Sequence, residues 1–402
     1  MTSLSTIEAD AVAHVGDAPI LARTEAWVAV NSGTRNLAGL ANVAGMLADS
    51  FSALPGHLAL VDPAPVETVT GAGEVQVLEH GRHLHLTVRP DAPVQLLLTG
   101  HMDTVYPADH PFQSGVWLED GTYNAPGAAD MKGGLSLMLA ALEAVEASPL
   151  AAQIGYEVLI NSDEETGSFS SAALIARAAQ GKAAALTYEP ALPDGTLAGA
   201  RGGTGNFSIV VHGKSAHAGR NPEEGRNAIV AAADLALRLA EARAPGLAVN
   251  PARIEGGGPN NVVPDLAILR VNFRPRDAEA IARAQIAIDQ AIAVVSVKHD
   301  VRIHLHGSFN RPPKPIDPGA EKLFNLVKQA GADLGLAIAW KATGGVCDGN
   351  NIAACGVPVV DTMGARGGAI HSSDEYLIAE SLPERAALSA LTILRIAQKG
   401  GL

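Results

Sequence analysis

Cysteine is scarce: Cys347 and Cys355 are the only two in 402 residues. That is too few for a disulfide framework or a four-thiolate metal site, although a single bridge stays open. Aromatic residues make up 4% of the chain, so alanine and aliphatic side chains must supply the core. Positive charge is short as well, with 29 lysines and arginines against 42 aspartates and glutamates for a net charge of −13. Such a surface repels polyanions and argues against a nucleic-acid partner. No run of about 18 apolar residues is free of charges or turn formers, which argues against a membrane span. The start, MTSLSTIEADAVAHV, has no basic segment leading into an apolar one, so a cytoplasmic setting is expected.

What the chain does contain is an alternation of strand-like and helix-like segments. Its length predicts two to three domains at roughly 150 residues each. Short apolar runs alternating with helix-length amphipathic ones predict an α/β fold with a mainly parallel sheet. Val94–Thr99 reads as a buried strand ending in Gly100-His101-Met102-Asp103. Glu157–Asn161 runs into Ser162-Asp163-Glu164-Glu165, and Ala183–Thr187 into Tyr188-Glu189. Open α/β sheets place ligands at such carboxyl ends. Between the first two strands lies the helix former Leu135–Ala147, with Asp130 placed like an N-cap. The pattern changes after residue 200. Asn206–His212 and Leu266–Phe273 alternate as half-exposed antiparallel strands do, with predicted helices at Asn227–Ala244 and Asp277–Val294. Residues 201–312 are therefore expected to form an inserted α+β domain. Residues 1–200 and 313–402 are expected to form the main one, joined through the stiff Arg311-Pro312-Pro313-Lys314-Pro315 crossing.

Five polar turns flanked by apolar runs carry the candidate chemistry: His101 with Asp103, Asp130, Glu164 with Glu165, Glu189, and His371. Buried carboxylates that converge need cations or protons nearby. Two imidazoles and three carboxylates suit a pair of divalent ions, one carboxylate bridging them. Such a pair lowers the pKa of a shared water. Of the adjacent glutamates, one can bind metal while its neighbour takes a proton. Any one of these residues alone is more often a solvated or capping side chain. His83 and His85, and likewise His304 and His306, share a strand face. Without nearby acids in the sequence, they are expected to face solvent.

The segments Gly100-His101-Met102-Asp103-Thr104-Val105, Gly127 to Gly134 (GAADMKGG), Asp163-Glu164-Glu165-Thr166-Gly167-Ser168, Tyr188-Glu189-Pro190 and Lys214-Ser215-Ala216-His217-Ala218-Gly219 together resemble the co-catalytic zinc peptidase family. That family includes glutamate carboxypeptidase, acetylornithine deacetylase, succinyl-diaminopimelate desuccinylase and aminoacylase; the first is the branch most similar in motif. The resemblance implies a zinc-peptidase catalytic domain with an inserted lid and dimerisation domain. It implies two divalent ions, zinc with cobalt or manganese as substitutes, held by His101, Asp130, Glu165, Glu189 and His371, with Asp130 bridging. Glu164 would be the general base toward a metal-activated water, and Asp103 would orient His101. A cis peptide is implied after Asp130. His217 would reach the active site of the second copy in a homodimer and donate to the developing oxyanion. Asn261, Arg274, Arg311 and Gly345 match substrate contacts, the arginines toward a carboxylate.

Gly344-Gly345-Val346-Cys347-Asp348 departs from the family's usual pocket loop, with a cysteine where serine or threonine is common. Gly213-Lys214-Ser215 lacks the earlier glycine of a phosphate loop, and no Gly-x-Ser-x-Gly elbow occurs. The expected activity is hydrolysis of an amide or peptide bond to an amino acid with a free carboxylate. The alternatives are N-acyl amino acid deacylation and a non-catalytic metal-binding relative.

Overall fold

The computed structural model describes residues 4–402. Its central sheet has six strands in the order His57–Val61, His83–Val88, Ile154–Asn161, Val94–His101, Ala184–Thr187, Val359–Val360. The last four run parallel and the first two are antiparallel additions at one edge. Successive side chains of a strand point to opposite faces, so the apolar run of Val94–His101 feeds two cores. Leu96 and Leu98 pack with the helices Gly133–Glu146, Pro318–Asp333 and Ser381–Lys399. Leu97 packs on the other side with Ala172–Ala179 and Ile352. The α/β class follows from this helix–sheet–helix layering.

A separate four-stranded antiparallel sheet has the order Leu247–Gly256, Leu266–Pro275, Thr204–His212, Arg302–Arg311. Phe207, Ile209 and Val211 face the helices Ala228–Glu241 and Ala278–His299, while Ser208 on the other face meets Arg270. Asp277 caps the second of these helices by accepting from Ala280 N at 2.7 Å, a contact worth about 1 kcal/mol. This helix extends to His299, and it is long and apolar enough by length and composition to cross a membrane; here it lies on the sheet through Ala284, Ile288 and Val295. The chain enters and leaves this unit side by side, since Arg201 and Lys314 exchange backbone hydrogen bonds at 2.9 Å.

Two expectations fail locally. Asp130 does not cap a helix: it lies in the turn Ala128–Lys132 at φ −116°, ψ 86°, and the helix begins at Gly133. His83 and His85 do not face solvent. His83 is buried, with Ser162 N donating to its Nδ1 and Ser170 Oγ 3.3 Å from its Nε2, and His85 pairs with Glu157 at 2.6 Å. Both find partners on neighbouring segments that are remote in sequence.

Candidate metal centre

The carboxyl ends of three adjacent parallel strands build the centre. His101 is the last residue of its strand, Glu164 and Glu165 follow Ile154–Asn161, and Glu189 follows Ala184–Thr187. Asp130 enters from the turn before the helix Gly133–Glu146, followed by a cis peptide to Met131. That helix start packs against the end of the strand carrying Glu189. A Cβ on Gly134 would lie 2.2 Å from the Tyr188 carbonyl oxygen, so only glycine permits the approach. His371 comes from a glycine-rich loop and holds a left-handed φ of 65°, a conformation costly for a residue with a Cβ and common at functional sites.

Six of the sequence candidates meet here. His101 Nε2 lies 3.1 Å from Asp130 Oδ1 and 3.9 Å from Glu189 Oε2. His371 Nε2 lies 3.4 Å from Asp130 Oδ2 and 3.2 Å from Glu165 Oε2. The two oxygens of Asp130 therefore face different imidazoles, each with a further carboxylate beside it. The ligand atoms of His101, Asp130 and Glu165, and those of His101, Glu164 and Glu189, form groups whose members lie within 4.8 Å of one another. Glu189 Oε1 is buried without a hydrogen-bond partner among the described residues. An orphaned carboxylate oxygen in a nest of acids is the donor a divalent cation satisfies.

Asp103, fully buried, organises this ring. Its Oδ1 lies 3.5 Å from His101 Nδ1 and accepts from Glu164 N at 3.1 Å; its Oδ2 accepts from Glu165 N at 3.2 Å and Thr34 Oγ1 at 2.7 Å. The His101 ring is hydrogen-bonded through Nδ1 to the Asp103 carbonyl oxygen at 3.0 Å, while the Asp103 carboxylate fixes the backbone of both glutamates. Glu375 does the same for Asp130, and the sequence reading missed it. Buried, it accepts from Ala129 N and Asp130 N at 3.0 Å, Gly127 N at 3.2 Å and Tyr106 Oη at 2.8 Å. The only hint in sequence is an acid four residues beyond His371.

The remaining candidates lie elsewhere. Arg311, expected to meet a substrate carboxylate, is buried and holds Glu164 instead, at 2.8 Å from Oε1 and 2.9 Å from its carbonyl oxygen. Gly345 lines the pocket beside the ligands, a cavity of about 300 Å³ that also exposes Arg201, Lys341 and Cys347. Cys347 is buried with Sγ 3.6 Å from Asp361, and burial pushes its thiol up. Arg274 is exposed, bonds Asn272 and borders a different cavity. His217 and Asn261 are exposed on paired loops of the four-stranded unit, where Ala218 N donates to the Asn261 carbonyl, and neither lines the pocket.

Crowding sets the electrostatics. Burial, with neighbouring acids, pushes Glu164 up to about 7 and Glu165 up to about 8, from an ordinary value of 4.5. Burial also acts on Asp130, but hydrogen bonds from His101 and His371 outweigh it and hold its carboxyl well below the usual range. Bonds to Asp130 and Glu165 raise His371 to about 10. In the metal-free chain both glutamates thus keep protons that the unfolded chain releases near 4.5, so stability falls as pH rises from about 5 to 8. His371 acts in the same sense above its ordinary 6.5. A divalent ion needs the ligands deprotonated, so its stabilising effect grows over that window. Thermal unfolding with and without chelator should show the metal-free Tm falling, and the metal-induced gain rising, between pH 5 and 8. A metal-induced gain that does not change with pH would contradict this.

The model of peptidase family M20/M25/M40 matches residues 97–395, which span every residue of the cluster. The chain belongs to that family. Carboxypeptidase G2 of Pseudomonas sp. (strain RS-16) is 32% identical over 312 residues, covering 74% of this chain and 73% of that protein. A succinyl-diaminopimelate desuccinylase of Verminephrobacter eiseniae is 26% identical over 303 residues, covering 70% and 74%. Among solved structures, a dinuclear metal-binding M20 peptidase of Bacillus subtilis shares the fold with a TM-score of 0.63 at 16% identity, covering 95% of this chain and 98% of that one. As an M20 member the chain is a metal-dependent peptidase or amidohydrolase.

Proposed function

We propose that this M20 hydrolase cleaves the amide or peptide bond between an acyl or peptidyl group and an amino acid that keeps a free carboxylate. The observation that carries the reading is Asp130, whose two oxygens lie between His101 with Glu189 on one side and His371 with Glu165 on the other. These residues would hold two ions, zinc in the first instance and cobalt or manganese as substitutes. When bound, the ions supply Lewis acidity and a water acidic enough to ionise near neutral pH.

The chain's own groups supply the rest. Glu164 takes the proton of the attacking water and passes it to the leaving nitrogen, and its raised pKa suits both transfers. Arg311 steadies the Glu164 carboxylate, and Asp103 fixes the His101 ring. His217 and Asn261 are exposed and off the pocket, which supports their acting in the site of a second copy, His217 donating to the carbonyl oxygen as it gains charge. A homodimer through residues 201–312, serving as lid and dimerisation unit, is supported by Val230, Leu237, Ile286, Val294 and Val297, apolar side chains exposed on its two helices. Gly345 and Arg274 remain candidate substrate contacts. Cys347 and Cys355 are unpaired, which accords with a reducing, cytoplasmic setting.

The similarity to a desuccinylase favours N-acyl amino acid deacylation as the second reading. A panel of peptidyl-glutamates, N-acetyl and N-succinyl amino acids, offered to metal-loaded protein, separates the two. Turnover confined to peptidyl-glutamates supports the carboxypeptidase reading. Turnover of only the small N-acyl compounds supports the alternative, and no amide hydrolysis at all would sink both.

A further inference from the structure

The two halves of the metal centre are held in different ways. His101 ends a strand of the central sheet and is buried, and Glu189 follows the adjacent parallel strand, so the sheet itself fixes this half. His371 belongs to the other half. It lies in the loop between the short antiparallel strands Gly367–Gly368 and Tyr376–Ile378, and its side chain is 53% exposed. Surface loops move unless their polar groups are tied down, so the place of this ring depends on the hydrogen bonds of its loop.

Tyr106 supplies the tie that reaches furthest. It is buried, with its ring centroid 5.3 and 5.2 Å from those of His110 and Phe112. Its hydroxyl lies 2.7 Å from the carbonyl oxygen of Ser372, the residue after His371, and 2.8 Å from Glu375 Oε2. The one phenolic proton serves both acceptors. Glu375 collects the amides of Gly127, Ala129 and Asp130, so a chain of hydrogen bonds runs from the His371 loop through the hydroxyl and the carboxylate to the turn that carries Asp130. Neither His101 nor Glu189 takes part in it. His371 Nε2 stands 3.4 Å from Asp130 Oδ2 and 3.2 Å from Glu165 Oε2. Ligands about 2.0–2.1 Å from a tetrahedral ion are roughly 3.3 Å from one another, so the chain holds His371 and Asp130 at the spacing an ion requires.

We propose that Tyr106 is a positioning residue for one metal ion of the two: by hanging the His371 loop on the Glu375 carboxylate, it sets the affinity of the ion on the Glu165 and His371 side and leaves the ion on the His101 and Glu189 side as it is. This rests on the two-ion reading given above. The hydroxyl can be removed without orphaning what it touches. Glu375 Oε2 still accepts from Gly127 N at 3.2 Å, its Oε1 still holds Ala129 N and Asp130 N at 3.0 Å, and the Ser372 carbonyl still accepts from Glu375 N at 3.1 Å. In Tyr106→Phe the turn of Asp130 therefore stays anchored, the ring keeps its contacts with His110 and Phe112, and what is lost is the link between the turn and the loop. Outer partners that orient a metal ligand are worth roughly ten- to a hundredfold in metal affinity.

The test is a zinc titration of the metal-free full chain against a competing chelator, which reads two stepwise dissociation constants. In Tyr106→Phe one constant should rise roughly ten- to a hundredfold while the other keeps its wild-type value. His371→Ala should abolish the same step, and adding Tyr106→Phe to it should leave the remaining constant unchanged. Hydrolysis by Tyr106→Phe should fall at limiting zinc and return to the wild-type kcat as zinc is raised, a rescue that damage to packing would not show. Wild-type constants in Tyr106→Phe, or an equal weakening of both steps, would overturn this assignment while leaving the two-ion reading standing. A wild type that takes up fewer than two zinc ions would overturn both.

Discussion

Replacing Glu164 by glutamine should lower kcat by roughly 10²- to 10⁴-fold while both metal ions stay bound. The amide keeps the shape of the side chain, and Arg311, whose Nη2 donates to the Glu164 carbonyl oxygen at 2.9 Å and to Ser168 Oγ at 2.8 Å, is not left without a partner when it loses its ion pair with Oε1. What it loses is the ability to take and return a proton. Steady-state kinetics read beside metal analysis separate this from damage to the metal site. A Glu164→Gln protein with near-normal kcat would show that the proton passes through another group.

Asp130→Ala should act differently, removing metal first and activity as a consequence. Its carboxylate is the one acid shared by the two imidazoles, so its loss weakens both halves of the centre at once. Glu189 Oε1 and the Glu165 carboxylate remain buried among other acids, and the crowding that the ions relieve becomes harder to bear. Metal content should drop well below that of the wild type even in excess zinc, and hydrolysis should fall by at least the 10²- to 10⁴-fold expected for Glu164→Gln. Full metal content in Asp130→Ala would show that the carboxylate does not bridge.

The parts of this protein that could be read from its sequence are those specified locally. The apolar run before His101 and those before Glu164 and Glu189 end in their polar residues within a few positions, and the structure places all three on neighbouring parallel strands. The alternation of Asn206–His212 marked a strand with one face toward a helical layer, as Phe207, Ile209 and Val211 have. Residues whose surroundings come from far along the chain were misread or missed. Asp130 looked like a cap because nothing local reveals that the helix begins only at Gly133. His83 looked exposed because its partners Ser162 and Ser170 lie 79 and 87 residues away. Arg311 looked free to meet substrate because Glu164 is 147 residues distant, and Glu375 went unnoticed because the amides it collects are about 245 residues earlier.

The most direct test is to count the ions. Inductively coupled plasma analysis of the purified protein, with amide hydrolysis assayed on the same samples before chelation, after it and after reconstitution, should find two divalent ions per chain. Activity should vanish as the ions leave and return as they are restored. A chelated sample, verified free of metal, that still hydrolyses amides at the original rate would contradict the account.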